Sequence, residues 1–490
     1  MEKTLKQKTT TALVWSFIDK FGQQILYFAT GVIFGRKLIN SDYGLVASLT
    51  FFTAVSVAII GSGYGRALVN QKKATQDELQ TVFLYNVGMS LFFYVVLFFA
   101  APLIAKFFGN QDLIVLSRVL FLSIPLNAFF VIQEIVLNMR MDLNGNAKAN
   151  IYALIPTSLL AGAAALLGFG VWALVIQAVA LAIFKLVFYW RYGGFRPGGT
   201  FRKKVLKDLF PFGSRVMLTN LINAGFSNIY SVLIGRFYSM AQLGFFSFAS
   251  KYQDIPSGLI SNTFRGVSVP LLSQLNEEDD RLKRVLGKLI RTVAFVGFPV
   301  MLGMVLIAKP FIIFLVTEKW LGAIPIFQIL CFSGILVSFN SVLQEAVLAK
   351  GHSKAVLWVE ILKKMVLVGF ILLTINKGVI GLAIGLVLSS LSAMILSLLL
   401  SGKMVGYTIW HMIKDCAPYV AISAILCLVA YYLTLSIESN FLKFGSCILF
   451  VGSLYFIISW FLKLEPMLEL TAWIRKIINL KKITNNTFSV

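Results

Sequence analysis

The chain has 490 residues, of which 58% are hydrophobic and 13% charged, with 44 Lys/Arg against 21 Asp/Glu and a formal net charge of +23. Soluble domains carry about 25% charged residues, so a water-soluble core cannot absorb this much apolar surface and the bilayer must be the solvent for most of the chain. The basic balance would suggest nucleic acid in a soluble protein. Here the cations fall in short gaps between apolar runs, where they act as topology signals and contacts to anionic lipid, and no nucleic-acid partner is expected.

A spanning helix needs about 20 mostly apolar residues, and that rule predicts an all-α polytopic membrane protein of about 14 spans. In chain order they cover 12–35, 43–65, 79–104, 114–138, 148–168, 171–190, 209–235, 243–268, 287–307, 324–348, 355–375, 378–401, 417–436 and 443–462. The leading "MEKTLKQKTT" has no small-residue cleavage site, so the first span is expected to be retained. With the N-terminus inside, the inside segments hold about 28 Lys/Arg, the outside loops about 8 and the spans about 8, which predicts cytoplasmic N- and C-termini. The organisation expected is an N-terminal lobe at 1–192, a basic linker at 193–208, a C-terminal lobe at 209–402, two further spans at 403–464 and a tail at 465–490. In the tail, Leu470, Trp473, Ile474, Ile477 and Ile478 recur at helical spacing among basic residues, as in a helix lying on the inner surface.

The outside loops are short, and none could hold a folded catalytic domain; the chain is not expected to be an enzyme. It contains neither G-x-x-x-x-G-K-[ST] nor H-E-x-x-H. The two histidines, His352 and His411, fall in inside loops, and the four cysteines have no metal or disulfide spacing.

The chain repeats itself. "FGRKLINSDYGL" (34–45) is echoed by "IGRFYSMAQLGF" (234–245), aligning Gly35-Arg36 with Gly235-Arg236 and Gly44 with Gly244. "APLIAKFFG" (101–109) faces "KPFIIFLVT" (309–317), "NGNAKA" (144–149) faces "KGHSKA" (350–355), and "FGVWAL" (169–174) faces "KGVIGL" (377–382). Single matches are weak; four in the same order at nearly one offset carry weight. Six spans separate the copies, and an even number keeps orientation, so two parallel six-helix lobes related by a pseudo-two-fold axis along the membrane normal are expected, with two C-terminal helices added.

Ionisable residues inside a membrane are expensive and default to functional candidates. Lys20 and Lys251 lie deepest; Arg118, Arg265, Arg66 and Arg215 complete the cationic cavity candidates. Lys251 and Asp254, three residues apart, are also placed to pair within their helix, and Arg66, Lys185 and Arg215 are close enough to the inner ends to snorkel. Glu360 and Lys364 form an i,i+4 pair. The basic groups outnumber the nearby acids, which favours an anionic substrate, while Asp19, Asp254 and Glu345 are candidates for coupling to Na⁺ or H⁺. No other cofactor and no metal is expected. Pro125, Pro156, Pro211, Pro256, Pro270 and Pro299 are expected to break spans around a cavity. Arg36 and Arg236, each at the outer end of a span, suit headgroup phosphates or an outer gate.

The ordered segments "ALVWSFIDKFGQQ" (12–24), "GRKLINSDYGLVA" (35–47), "VFLYN" (82–86), "APLIAKFFG" (101–109), "GFGVWALVIQ" (168–177), "IGRFYSMAQLGFFSFASKYQDIP" (234–256), "VPLLSQL" (269–275) and "EKWLGAIPIFQILCFSG" (318–334) resemble the Wzx-type oligosaccharide flippases. These form the polysaccharide transporter branch of the multidrug/oligosaccharidyl-lipid/polysaccharide exporter superfamily, and the likeness is to its colanic-acid and teichuronic-acid exporter subgroup. The resemblance implies a substrate of undecaprenyl-pyrophosphate-linked oligosaccharide, flipped across the bacterial cytoplasmic (inner) membrane by alternating access for surface polysaccharide synthesis. It also implies polysaccharide polymerase and chain-length machinery as partners. Related lipid II flippases assign cavity arginines to the pyrophosphate; this chain has lysine at its deepest positions, so that role transfers by chemistry alone. A cation-coupled multidrug or small-solute exporter on the same fold is the alternative.

Overall fold

A computed structural model of the chain describes residues 5–61, 63–70, 74–275 and 278–472, and every regular element among them is helical. The order is α1 Leu5–Lys37, α2 Asn40–Gly61, α3 Tyr64–Asn70, α4 Gln76–Phe108, α5 Leu113–Leu120, α6 Ser123–Met139, α7 Leu143–Leu166, α8 Trp172–Tyr192, α9 Lys203–Ser227, α10 Ile229–Phe237, α11 Met240–Ser273, α12 Asp279–Val316, α13 Ala323–Ala349, α14 Ser353–Thr374, α15 Gly378–Val405, α16 Ile409–Leu433 and α17 Asn440–Phe461. Ten helical stretches among the described residues are long and apolar enough to cross a membrane. Each of the spans expected from hydropathy coincides with one helix or, for the fourth and seventh, with a broken pair. Residues 465–472 of the tail are helical; Trp473, Ile474, Ile477 and Ile478 lie outside the described residues.

The two breaks have different causes. Pro125 cannot donate to the carbonyl of Phe121 four residues back, so that oxygen accepts from Ile124 instead (2.9 Å) and α5 ends. The break between α9 and α10 lies at Asn228, whose own side-chain amide donates to the Ala224 carbonyl (2.8 Å) and competes with the ladder. Pro156, Pro211, Pro256, Pro270 and Pro299 sit in helices that continue through them, contrary to the expectation that these residues break their spans.

The chain forms two compact units, residues 1–247 with 315–319 and residues 248–314 with 320–490. In the first, α7 packs between α1 and α8. Its buried face is mostly small residues: Ala147, Ala149, Ala153, Ala161, Ala164 and Ala165, with Gly145 and Gly162. Where lipid is as apolar as the side chains, close backbone approach through small residues is what holds helices together. Phe108, Leu116, Phe121 and Ile124 fill the space between α4, α5 and α6. In the second unit, α15 packs on both α13 and α14.

The basic linker is not a loose tether. Gln133 holds Phe195 from both sides, donating to its carbonyl (2.8 Å) and accepting from its amide (2.9 Å). Asp77, in the first turn of α4, accepts from the Thr200 amide (2.9 Å) and pairs with Arg202 (2.5 Å). The segment is thereby strapped across the α4 and α6 ends of the first unit.

The repeat is present in the backbone. Residues 31–40 and 231–240 have the same pattern of helix, bend and new helix, with Leu38 and Tyr238 donating to Phe34 and Ile234 at 2.8 and 2.9 Å. α4 and α12 both carry a proline, Pro102 and Pro310, and stop before a left-handed residue, Gly109 (φ 69°) and Thr317 (φ 86°). Gly170 (φ 55°) and Gly378 (φ 77°) also match. One pairing moves by four residues. Gly351 (φ 79°), between α13 and α14, matches left-handed Met141 (φ 53°) between α6 and α7, whereas Gly145 lies inside α7.

Candidate functional site

Each copy of the repeat buries a polar cluster in the same place. In the first unit, Asp19 and Gln23 stand one turn apart on α1, and Gln23 donates to Asp19 Oδ1 (2.6 Å). Asn150 of α7 donates to Asp19 Oδ2 (3.3 Å) and accepts from the Tyr189 hydroxyl of α8 (3.2 Å). Lys185, one turn before Tyr189, interacts electrostatically with both Asp19 and Glu134 of α6, and its ammonium also lies 5.7 Å from the centre of the Phe130 ring, on which Tyr189 stacks. Four helices thus contribute, and two carboxylates share one lysine.

In the second unit the counterparts of Glu134, Asn150 and Tyr189 are Gln344, Glu360 and Ser397. Lys363, only 7% exposed, donates to Glu360 (2.9 Å) and to Asn340 Oδ1 (2.8 Å). Ser397 donates to the same Asn340 oxygen (2.7 Å), and Gln344 donates to Glu360. The ion pair is therefore Glu360 with Lys363, three residues on; sequence spacing had matched Glu360 to Lys364. Here one carboxylate meets one lysine, and two amides, Asn340 and Gln344, and the Ser397 hydroxyl complete the set. A buried charge persists only when paired and hydrogen-bonded, and both clusters obey that rule with different residues.

The remaining candidates separate. Lys20 and Lys251 are exposed near the middle of α1 and α11, and neither is in an ion pair among the described residues. Asp254 is also exposed, and it does not pair with Lys251. Arg265 and Glu345, which have no partner within their own helices, find each other across α11 and α13 (3.1 Å). Arg118 stacks on Phe98 (4.4 Å) and donates to its carbonyl (3.4 Å), a packing role inside the first unit. Arg66 and Arg215 are both exposed. They flank the place where Gly63 and Gly213 bring α3 and α9 together, so close that a Cβ on Gly63 would lie 2.3 Å from the Gly213 carbonyl.

The α1–α2 and α10–α11 turns meet head to head in the first unit. A Cβ on Gly44 would lie 1.8 Å from the carbonyl oxygen of Met240, and a Cβ on Gly244 would lie 1.8 Å from that of Asn40. With an offset of 200 residues these are one contact made twice, and only glycine fits it. The arginines follow the same exchange. Arg36 donates to the carbonyl of Leu315 (2.9 Å) at the end of α12, and Arg236 lies over the ring of Phe107 (5.4 Å) at the end of α4. Leu315 and Phe107 are counterparts, so each arginine reaches the end of the other copy's long helix. Lys319 and Asn40 tie the first of these ends further, Lys319 donating to the Arg36 carbonyl (2.7 Å) and Asn40 to the Lys319 carbonyl (3.0 Å). Burial pushes the Lys319 ammonium below its ordinary pKa, with Asp42 opposing.

Asn150, Tyr189, Asn340, Lys363 and Ser397 were not singled out by sequence. Their only signal was polarity within an apolar run, which serine and asparagine commonly show without function. Among the described residues no three His, Cys, Asp or Glu gather as a metal site.

A family model described as polysaccharide biosynthesis protein matches residues 33–325. The teichuronic acid biosynthesis protein TuaB of Bacillus subtilis is 26% identical over 69% of this chain and 71% of its own. The succinoglycan biosynthesis transport protein ExoT of Rhizobium meliloti is 28% identical over 69% and 68%, and the lipopolysaccharide biosynthesis protein WzxC of Escherichia coli is 24% identical over 81% of each. The fold is similar to that of the lipid II flippase MurJ in an inward closed conformation (TM-score 0.77, 16% identity, 92% of this chain and 99% of that one). It is also similar to that of an inward-facing multidrug resistance MATE family transporter of the MOP superfamily (TM-score 0.64, 17% identity, 78% and 94%).

Proposed function

The chain belongs to the polysaccharide biosynthesis protein family, and from that premise we propose that it is a flippase carrying a polyprenyl-pyrophosphate-linked oligosaccharide across the bacterial cytoplasmic membrane by alternating access. The observation that carries this reading is the pair of exposed lysines, Lys20 and Lys251, within α1 and α11. These two helices also carry Asp19, Asp254 and Arg265 and are less apolar than the ten stretches among the described residues that qualify as spans on hydropathy alone. An ammonium facing lipid would cost several kcal/mol, so in this reading each lysine is turned to a water-filled path where an anion can reach it. A pyrophosphate is the anion that a lipid-linked sugar brings. Undecaprenyl pyrophosphate is the carrier lipid this chemistry fits, with the polymerase and chain-length machinery acting on the flipped product. Lys/Arg bias supports cytoplasmic termini.

Coupling is proposed at the Asp19 cluster. Asp19 and Glu134 converge on Lys185, with Lys20 beside Asp19, so binding of Na⁺ or H⁺ to a carboxylate would change the pairing there, whereas Glu345 is already engaged by Arg265. The head-to-head turns, with Arg36 and Arg236 on the ends of α12 and α4, would act as the outer clamp that must release in each cycle.

The test uses a strain that needs this protein for its surface glycan. Lys20→Ala with Lys251→Ala should abolish surface glycan at unchanged protein level. Normal glycan in the double variant would remove the lysines and this reading of them.

A further inference from the structure

The second unit contains a cationic cavity that none of these roles uses. It measures about 970 Å³ and lies between the start of α12, the turn before α16 and the segment after α17. Three elements from distant parts of the chain form it, and two of its three acids, Asp415 and Glu465, are engaged in holding them together, Asp280 being the third. Arg291 bridges Asp415 of α16 and Glu465 beyond α17, both at 2.8 Å, and Tyr407 donates to the second oxygen of Asp415 (2.8 Å). Lys288 pairs with Glu469. Gly287 lets the wall close: a Cβ there would meet Asp415 Oδ2 at 3.1 Å. With Asp415 and Glu465 engaged, Lys283, Arg284 and Lys414 line the cavity beside Asp280 without an ion-pair partner among the described residues, so cations still exceed acids there, and His411 lines it beside them.

What continues from the cavity decides what it would hold. On α12, Arg291 is followed at four-residue steps by Phe295, Pro299, Gly303 and Ile307, so one stripe runs on from the cationic wall. That stripe faces Tyr455, Val451 and Cys447 of α17 across an apolar groove of about 340 Å³. From Phe295 to Ile307 it extends about 18 Å at 1.5 Å per residue, the reach of a long hydrocarbon chain. Trp410, Ile409 and Ile413, exposed at the start of α16, set this end at the depth where membrane gives way to water. A lone soluble anion would use the cavity and leave the groove unexplained; an amphiphile uses both.

We propose that the α12–α16–α17 end of the second unit is a binding site for the phosphate of a membrane lipid, held by Lys283, Arg284 and Lys414, with the lipid chain in the α12–α17 groove. The phosphate chemistry is common to an anionic glycerophospholipid of the inner leaflet and to a polyprenyl phosphate. The site requires that the bundle span a membrane, and it does not require that it flip anything.

The test is native mass spectrometry of the full-length protein from mixed micelles, with phosphatidylglycerol, undecaprenyl phosphate and phosphatidylethanolamine offered in turn and inorganic pyrophosphate as competitor. Lys283→Gln/Arg284→Gln/Lys414→Gln should lose about ten-fold in retention of the preferred anionic lipid. Lys203→Gln/Lys204→Gln/Lys207→Gln, which removes the same charge from α9, should retain it as the native chain does. Preference between the two anionic lipids identifies the source. Equal loss in both triple variants, or equal retention of phosphatidylethanolamine, overturns the site. Binding of pyrophosphate alone without lipid retention also overturns it. Because binding is read without transport, these outcomes are independent of whether Lys20 and Lys251 carry a substrate.

Discussion

The two copies of the repeat solve the same structural problems with different residues. At the end of α4 the left-handed turn is taken by Gly109, and at the end of α12 by Thr317. Between α6 and α7 it falls to Met141, and between α13 and α14 to Gly351. A left-handed residue with a side chain costs about 1–2 kcal/mol, so neither copy is the relaxed one throughout. At Thr317 the strain sits inside a clamp: Arg36 holds Leu315, and Asn40 holds Lys319. Such conformations persist where surrounding contacts over-determine them. The polar clusters differ in the same manner. The first balances two carboxylates against one lysine through Asn150 and Tyr189, and the second pairs one carboxylate with a nearly buried lysine. The backbone geometry recurs in both copies, while the charged and polar residues that fill it differ.

The largest effect is expected where the copies touch. Gly44→Ala and Gly244→Ala should each cost at least about 3 kcal/mol through overpacking against a backbone carbonyl, read as lost yield and a lowered unfolding midpoint in detergent. Tolerance of one but not the other would break the equivalence of the two turns. Next come the clusters. Glu360→Gln strands Lys363 and should cost about 3 kcal/mol, while its counterpart Asn150→Ala loses one hydrogen bond to the Asp19 carboxylate and one to the Tyr189 hydroxyl, worth about 2 kcal/mol. Equal midpoint shifts would show that the clusters are energetically alike.

The strained turns give a smaller effect of opposite sign. Thr317→Gly and Met141→Gly should stabilise by about 1 kcal/mol, and Gly109→Ala and Gly351→Ala should destabilise by about as much. Midpoints of the four variants test this directly, and a destabilised Thr317→Gly would mean that the threonine side chain contributes more than its backbone costs. The arginines come last. Arg36→Gln removes a charged hydrogen bond to a helix end, worth about 1 kcal/mol, and Arg236→Gln removes an exposed ring contact worth about 0.5 kcal/mol. Slowed glycan export at normal protein level would mark them as part of the outer clamp; unchanged export would leave them as anchors.

Much of this molecule was legible before its structure. Apolar length located the helices because a bilayer admits few alternatives to a spanning helix. The order of four short matches exposed the repeat, since duplication preserves spacing. Two kinds of error followed from reading one dimension. The match of Gly145 to Gly351 is off by about one helical turn because glycine occupies the left-handed position in one copy only, and in the other that position is Met141. The prolines were expected to break their helices, yet only Pro125 does, because most neighbouring helices absorb the missing hydrogen bond.

The sequence by itself determined the solvent of this protein, its helices and its duplication, since all three depend on composition and periodicity along the chain. Only the tertiary structure decided which charges pair. Arg265 meets Glu345, eighty residues away, Lys363 rather than Lys364 holds Glu360, and Arg36 and Arg236 each find the end of the other copy's helix. Pairing depends on distance in space, and in a bundle of helices that distance is set by packing between segments, which no local pattern records.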